Sequence, residues 1–134
     1  MKSLLSRVAP RKVELDDVCV VRDGDAEYCI YPLDRVMTVL GKKWTLFVIA
    51  VLGNEEGARF NELLADLRFI SSRTLTDRLK ELVALGLVER EEVTGPPRRV
   101  DYRLSLHGRE LRDRLIPLLD WAIGFEVAGP AAAG

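Results

Sequence analysis

Apolar residues recur at helical spacing along most of the chain after residue 31. The first such stretch follows Pro32, which suits a first helical turn, and ends near Gly41. Its apolar positions are spaced i, i+3, i+4 and i+7, at Leu33, Val36, Met37 and Leu40. The next stretch, KKWTLFVIAVLGN, is apolar almost all round. A helix of that kind is normally buried against several neighbours, so it is predicted to form the centre of the core.

Two short amphipathic helices are predicted next. GNEEG forms a turn, and RFNELLADL continues as a helix with its three leucines facing inward. After RFI, Ser71 is a good N-cap because its side-chain oxygen can accept an otherwise unpaired backbone N–H. The second helix then runs to Leu85, and Gly86 supplies the C-terminal stop. Two short helices therefore meet across a tight turn.

A hairpin and a longer helix are predicted after these. LVEREEV and VDYRLS flank the turn TGPPRR, and the second segment alternates apolar and polar residues as a strand does. The last helix is predicted to begin with Ser105 as its cap and to continue through HGRELRDRLIPLLDWAIGF. Pro117 should kink this helix or restrict its first half. Residues 128–134 are predicted to be a disordered tail.

The order of four helices, two strands and a helix predicts a mainly α fold with a small β-hairpin. It is that of a winged helix-turn-helix domain with flanking N- and C-terminal helices. A chain of 134 residues is long enough for one compact domain and short for two. Residues 1–27 lack a sustained period, although VELDDVCVV can pair as an edge strand, and are interpreted as an N-terminal extension. The domain with its dimerisation helices is predicted to span residues 28–127.

Composition argues against several classes of protein. The chain has no run of 18 apolar residues to span a bilayer and no apolar h-region at its start, so a cytoplasmic location without a membrane partner is expected. Cys19 and Cys29 make neither a disulfide framework nor a CxxC pair, so no metal site is expected. His107 is the single histidine, which closes most routes to a nucleophilic catalytic unit. We therefore expect neither a cofactor nor enzymatic activity.

The formal net charge of −1 argues weakly against a nucleic-acid binder, because phosphate neutralisation needs clustered Lys and Arg. The local distribution of charge changes that interpretation. Basic residues outnumber acidic ones from Arg59 to Lys80, and a second basic group, Arg98, Arg99 and Arg103, faces only Asp101 along the sequence. Local positive charge therefore coincides with two candidate contact elements, the second short helix and the hairpin.

One face of the second short helix is polar. At about 100° per residue, Leu75, Leu79 and Leu82 cluster on one side. A major groove about 12 Å wide admits one such helix, and its N-terminal residues reach base edges first. The opposite face carries Arg73, Asp77, Lys80 and Ala84, with Thr76 at its flank.

Each residue near the start of this helix suits a particular contact with DNA. Arg73 suits a bidentate contact with guanine, and Thr76 suits a thymine methyl or a hydrogen-bonding base edge. Asp77 can accept from a cytosine amino group or restrain Arg73. Ser71, Ser72 and the N–H groups of the helix start suit a phosphate, because oriented donors and the helix dipole favour an anion there.

A charged helix face is also compatible with plain solvated surface. Here a second helix precedes the face at tight-turn spacing, and a hairpin tipped by Arg98 and Arg99 follows it. These cations lie where a wing can meet the DNA backbone or minor groove. The three coupled features favour DNA. The predicted DNA-contacting residues are Arg59, Ser71, Ser72, Arg73, Thr74, Thr76, Asp77, Lys80, Arg98 and Arg99.

Five segments in order resemble the HxlR-type family of winged helix-turn-helix transcription regulators. They are LGKKWTLFVIAVL, ARFNELLADL, ISSRTLTDRLKELVALGLVERE, PPRRVDYRLSLHGRELRDRL and LLDWA, within roughly residues 29–125. The resemblance implies a prokaryotic homodimer that binds operator DNA, with the terminal helices building the dimer contact. By position, Ile70-Ser71 and Arg73-Thr74-Leu75 match the opening of the family's recognition helix, and Val100-Asp101-Tyr102 matches its second wing strand.

The chain departs from the family pattern at two places. Ser72 occupies a position where the family often has proline. Members commonly have a cysteine followed directly by proline before the first helix, whereas here two residues separate Cys29 from Pro32. In some relatives that cysteine senses electrophiles or oxidants. Cys29 is interpreted either as a small buried hydrophobe or as a redox thiol.

Dimerisation has a physical motive in this sequence. The last helix has an apolar row that a small domain need not cover entirely, and Trp121 and Phe125 would be costly to leave in water. The predicted dimer contacts are Leu33, Val36, Met37, Leu115, Leu118, Trp121, Ala122 and Phe125.

The leading functional interpretation is a transcription regulator that binds an inverted-repeat operator as a homodimer, with double-stranded DNA and a second copy of itself as partners. An unidentified small molecule or oxidant is a candidate effector. The alternative is a winged-helix module that binds other proteins and not DNA, for which the acidic overall charge is the best argument.

Overall fold

The computed structural model describes residues 20–29 and 33–129. The chain divides into two compact units, and the division falls after Gly41. The predicted boundary between extension and domain, after residue 27, falls elsewhere. Residues 1–19 of the predicted extension and 130–134 of the predicted tail lie outside the described residues.

The first unit contains a hairpin and a short helix. Val20–Asp23 (β1) and Ala26–Cys29 (β2) pair antiparallel, so the predicted boundary after residue 27 falls inside β2. Gly24, the first residue of the two-residue turn, has a φ of +62°, which a type II′ turn requires at that position. The helix Asp34–Leu40 (α1) confirms the first predicted helix, while Pro32 lies outside the described residues.

The second unit has the predicted order of helices and strands with one addition, a two-residue strand before the first short helix. Its elements are Thr45–Leu52 (α2), Ala58–Arg59 (β3), Phe60–Leu67 (α3), Ser72–Ala84 (α4), Val88–Val93 (β4), Arg99–Leu104 (β5) and Leu106–Ala128 (α5).

Helix α2 lies at the centre of the core, as its apolar sequence predicts. Val48, Ile49 and Leu52 are fully buried. The helix begins at Thr45, three residues later than the start of the apolar stretch, because Trp44 adopts a left-handed conformation with a φ of +82°. The same core receives leucines and valines from the other elements of the unit, namely Leu63, Leu75, Leu79, Leu82, Val88, Leu104 and Leu115.

The wing is a three-stranded antiparallel sheet with the order β3-β5-β4. In the pairing of β4 with β5, Val88 lies opposite Leu104, and both side chains enter the core. Strand β3 adds Ala58 and Arg59 to the other edge of β5. The hairpin is confirmed, and β3 fixes its second strand to the start of α3.

The ends of α4 are set by the residues that the sequence singles out. The Ser71 hydroxyl oxygen accepts the Thr74 N–H at 3.1 Å, which is an N-cap bond. At the other end Gly86 has a φ of +78°, its N–H donates to the Val83 carbonyl, and the Leu87 N–H donates to the Leu82 carbonyl. This pair of bonds is a Schellman motif, which satisfies carbonyls left over at the helix end.

Helix α5 begins after the predicted cap, since the Ser105 hydroxyl accepts the Gly108 N–H at 3.1 Å. It is a continuous helix through Pro117 and includes Ala128, the first residue of the predicted tail. The Arg112 guanidinium ties its first half to the end of α2 by donating to the Ala50 carbonyl at 2.8 Å. None of the described helices combines the length and apolar character needed to cross a bilayer.

Candidate nucleic-acid interface

Helix α4 has one buried and one exposed side. Leu75, Leu79 and Leu82 are buried in the core. On the opposite side Arg73 and Lys80 are exposed, and Asp77 is half-buried. The polar side of the helix is therefore available to a ligand in this chain.

The hydroxyl groups at the start of α4 are partly engaged in the helix itself. The Ser71 hydroxyl donates to the Thr74 hydroxyl oxygen at 2.9 Å while accepting the Thr74 N–H. The Thr76 hydroxyl donates to the Ser72 carbonyl at 2.8 Å. In this arrangement Thr76 offers a methyl group and an acceptor to a base edge, not a proton. Ser72 is exposed, and the first N–H groups of any helix lack intrahelical acceptors.

Arg73 is not held by a carboxylate. Among the described residues it makes no ion pair, and Asp77, one turn later, does not reach it. The expectation that Asp77 restrains Arg73 therefore does not describe this structure. Lys80 likewise has no ion-pair partner among residues 20–29 and 33–129. Within the described part of the chain, Arg73 and Lys80 are thus the two cations of α4 without a neutralising partner.

The wing is less basic than its sequence suggests, because β4 places carboxylates beside the arginines of β5. Arg103 was expected to face only Asp101, but its guanidinium lies 3.1 Å from the Glu89 carboxylate and 3.3 Å from that of Glu91. The hydrogen bond to Glu89 raises the pKa of Arg103 above its ordinary value. The register explains the pairing, since Glu89 is the direct cross-strand partner of Arg103.

Arg90 is neutralised in the same way. Its guanidinium donates to the Glu92 carboxylate at 2.9 Å. This hydrogen bond, with a further one that Arg90 donates to the Tyr102 hydroxyl oxygen, raises the pKa of Arg90. Four arginines and four carboxylates lie between Val88 and Leu104, so the formal charge of the hairpin is zero.

The two arginines at the wing tip differ from each other. Arg99 lies 3.5 Å from the Asp101 carboxylate, and both side chains are partly exposed. Arg98 is exposed and has no ion-pair partner within the described part of the chain. Arg98 is thus the wing cation that is free to meet a phosphate.

Arg59 lies at the junction of β3 and α3. Its N–H donates to the Glu62 carboxylate at 2.8 Å, which caps α3, and its side chain is exposed. Strand pairing places Arg59 opposite Asp101 on β5. Its position at the start of the first of the two short helices is compatible with the predicted DNA contact.

Sequence reasoning missed a charged cluster on the flank of α4. The sequence suggests that Arg78 is a basic residue of the surface. In the structure its side chain is only 15% exposed, and its Nε lies 2.8 Å from a Glu81 carboxylate oxygen. The other Glu81 oxygen contacts the ammonium group of Lys42. The i,i+3 spacing of Arg78 and Glu81 signals the first pair, whereas nothing in the sequence signals a partner 39 residues away.

The predicted dimerisation residues of α5 differ in exposure. In α5, Leu118 and Trp121 are exposed, the latter by 63%, and the Trp121 ring stacks on Phe125 with centroids 5.3 Å apart. Ala122 is half-buried. Leu115 is only 3% exposed and belongs to the core of its own chain, so the expectation that it contacts a partner needs correction.

The remaining predicted contact residues lie in the first unit. Leu33 is half-buried just before α1, and Val36 and Met37 on that helix are exposed. Cys29, at the end of β2, is half-buried, and its sulfur is a free thiol.

Helices α3 and α4 are short and are joined by a tight turn, α4 exposes a polar face, and β3, β5 and β4 form a three-stranded wing. This arrangement defines a winged helix-turn-helix protein. A model of the family described as HxlR-like helix-turn-helix matches residues 39–128. The chain belongs to this family and is a transcriptional regulator of the DNA-binding helix-turn-helix type.

Individual proteins that resemble this chain are also transcriptional regulators. The HTH-type transcriptional regulator YdzF of Bacillus subtilis is 34% identical over 99 residues, covering 74% of this chain and 89% of YdzF. The crystal structure of a possible HxlR family transcriptional factor from Thermoplasma volcanium is 38% identical, with a TM-score of 0.72, and covers 81% of this chain and 97% of its own. The redox regulator HypR in its oxidized form is 31% identical, with a TM-score of 0.63, over 69% of this chain and 95% of HypR.

Proposed function

We propose that this regulator binds an inverted-repeat operator as a homodimer, with α4 in the major groove and the wing tip on the backbone. The observation that carries the proposal is the exposed side of α4, where Arg73 and Lys80 have no carboxylate partner among the residues that the structure describes. Free cations suit that role, because Lys and Arg release counterions when they neutralise phosphates and can also hydrogen-bond to guanine edges. Arg98 adds a third free cation on the wing.

The apolar surface of α5 supports the homodimer. At about 100° per residue, Leu118, Trp121 and Phe125 share one side of its second half, where Leu118 is 49% and Trp121 63% exposed. Contiguous exposed apolar surface of this kind is typical of an interface. In a symmetric dimer two copies of α4 would lie about 34 Å apart, one turn of DNA, so the operator is expected to be an inverted repeat.

Replacing the arginines of the two contact elements tests the proposal. Arg73→Ala should weaken binding to the operator, selected from a random pool, by about 1–3 kcal/mol and relax one base preference. Arg98→Ala should weaken operator and random DNA alike, because a phosphate contact carries no sequence information. Arg99→Ala should act in the same direction but less, since Asp101 already pairs with Arg99. Fluorescence anisotropy with labelled duplexes measures all three.

Arg109→Ala is the matched control, because Arg109 is an exposed arginine on α5, away from α4 and the wing tip. Equal affinities for wild type, Arg73→Ala and Arg98→Ala would contradict the proposed interface.

Salt dependence separates DNA binding from the alternative of a protein-binding module. A DNA complex should lose affinity with a log-log slope of about −0.9 per neutralised phosphate.

We also propose that Cys29 makes the regulator redox-responsive. Its thiol is free and half-buried, and the similar protein HypR is a redox regulator. Oxidation of the Cys29 thiols of two protomers to a disulfide releases two electrons and two protons, which diamide accepts. Diamide should therefore release the operator from wild type and not from Cys29→Ser. Cys19→Ser is the control, and equal release from Cys29→Ser would exclude this role.

A further inference from the structure

The cluster on the flank of α4 joins the recognition helix to the start of the second unit. Glu81 uses its two carboxylate oxygens separately, one for Arg78 on the same helix and one for Lys42. Lys42 is the first residue of the unit and precedes α2. The cluster is partly withdrawn from solvent, with side-chain exposures of 39% for Lys42 and 25% for Glu81. Pairs of this kind lose less to solvent screening than fully exposed pairs do.

The other contacts of α4 with the core are apolar. Leu75, Leu79 and Leu82 pack through apolar surface, and the hydrophobic effect is non-directional. An ion pair at the flank is directional, because its geometry holds only in a narrow range of distance and angle. The leucines set which side of α4 faces the core, and the Lys42–Glu81 pair adds a directional restraint at its flank.

The rotation of α4 matters for reading bases. A helix with its side chains has a radius of about 5–6 Å, so a rotation of about 15° displaces a surface side chain by about 1.5 Å. A displacement of that size breaks a hydrogen bond, whose donor–acceptor distance varies over only about 0.5 Å. Arg73 would then miss a base edge while phosphate contacts, which tolerate more movement, persist.

We infer that Lys42 and Glu81 are positioning residues, which hold the recognition helix in the orientation that reads the operator. The inference rests on the proposed function of α4. Arg78 contributes by orienting the Glu81 carboxylate from within the same helix. Neither Lys42 nor Glu81 contacts DNA in this mechanism. Both act through the placement of Arg73.

The central experiment compares Lys42→Gln with Lys43→Gln. Lys43 is the neighbouring lysine, and its ammonium group lies over the Trp44 ring, 5.6 Å from the centroid, not on Glu81. Lys42→Gln should weaken operator binding about three- to thirtyfold, as expected for a residue of a coupling network, and leave random-sequence DNA and its salt slope unchanged. Lys43→Gln should change neither operator binding nor the binding of random-sequence DNA. Lys42→Arg should bind the operator as wild type does, because it keeps the ion pair.

A double variant tests whether the two residues act together. Glu81→Gln should reproduce the loss of operator selectivity, and Lys42→Gln combined with Glu81→Gln should lose no more than either alone. Additive losses would overturn the inference. An equal loss of affinity for operator and random DNA, with a shallower salt slope, would also overturn the inference. That result would identify Lys42 as a direct phosphate contact.

Amide NMR shifts of the free protein test the inference without DNA. Lys42→Gln should move the signals of Arg73 to Thr76, in the first turn of α4 and away from the cluster, and Lys43→Gln should not. Unmoved signals would overturn the inference even if operator binding changed. Absence of DNA binding by wild type, with moved signals, would instead refute the proposed function and leave the restraint on α4 intact.

Discussion

Trp121→Asp should convert the proposed dimer into a monomer and reduce operator affinity about a hundredfold or more. Trp121 is 63% exposed in the single chain, so a carboxylate is well solvated there when the chain is alone. In a dimer the same carboxylate would be buried against apolar surface without a partner. Tryptophan is also among the residues whose loss weakens interfaces most. The substitution thus acts strongly on association and weakly on folding.

The loss of DNA affinity follows from the loss of the second half-site. When two recognition helices are linked, the second binds as an intramolecular event, and avidity exceeds the affinity of one helix by about 10²–10⁴-fold. Sedimentation or light scattering at micromolar concentration measures the assembly, and anisotropy with the full operator and a half-site measures binding. The variant should bind the full operator no better than the half-site.

Leu106→Asp is the matched control for this prediction. Leu106 is an exposed leucine on the same helix, but it is the first residue of α5 and lies outside the apolar second half. A carboxylate in the first turn is also favourable to the helix dipole. Leu106→Asp should therefore stay dimeric. A monomeric wild type, or a Trp121→Asp variant that remains a dimer, would refute the assigned interface.

The sequence predicts the helices of the second unit well because their ends are chemically marked. Ser71 and Ser105 both accept the backbone N–H three residues later, and Gly86 adopts the positive φ that ends α4. These effects involve neighbouring residues only, so they can be read from a short window. The burial of Leu75 and Leu79 follows from periodicity for the same reason.

Contacts between distant segments were not predictable in this way. The two-residue strand β3 is too short to show alternation, and its pairing with β5 depends on the tertiary fold. The register of the wing, which places Glu89 beside Arg103, neutralises an arginine that appears free in the sequence. The contact of Lys42 with Glu81 likewise depends on how α2 and α4 pack.

The dimerisation residues show a related limit. Leu115 and Leu118 belong to one apolar row on α5, yet Leu115 is in the core and Leu118 is about half exposed. Periodicity identifies the apolar side of a helix but not what covers it. In α5 the first half packs on its own chain, and the second half extends beyond that contact, which is why only the second half is a candidate interface.

Gly108→Ala should lower the free energy of unfolding by about 1–3 kcal/mol, the usual cost of overpacking. A Cβ at Gly108 would lie 2.1 Å from the Leu87 carbonyl oxygen and 3.2 Å from a methyl group of Leu104. The Leu87 carbonyl cannot withdraw easily, because it already accepts the Ser105 N–H at 3.0 Å. Alanine is the better helix former by up to about 1 kcal/mol, but backbone overlap outweighs that gain.

Gly124→Ala is the internal reference, because Gly124 lies in the same helix and a Cβ there meets nothing within 4 Å. With no overlap to offset it, the smaller entropy of the unfolded alanine chain should raise stability by about 0.4–1 kcal/mol. Urea unfolding at one fixed protein concentration compares the two variants, since dimerisation would make stability depend on concentration. Equal stabilities would show that α5 is not held against the Leu87 carbonyl. This contact would then not fix the position of the helix start. It would also not fix the direction in which the apolar second half projects.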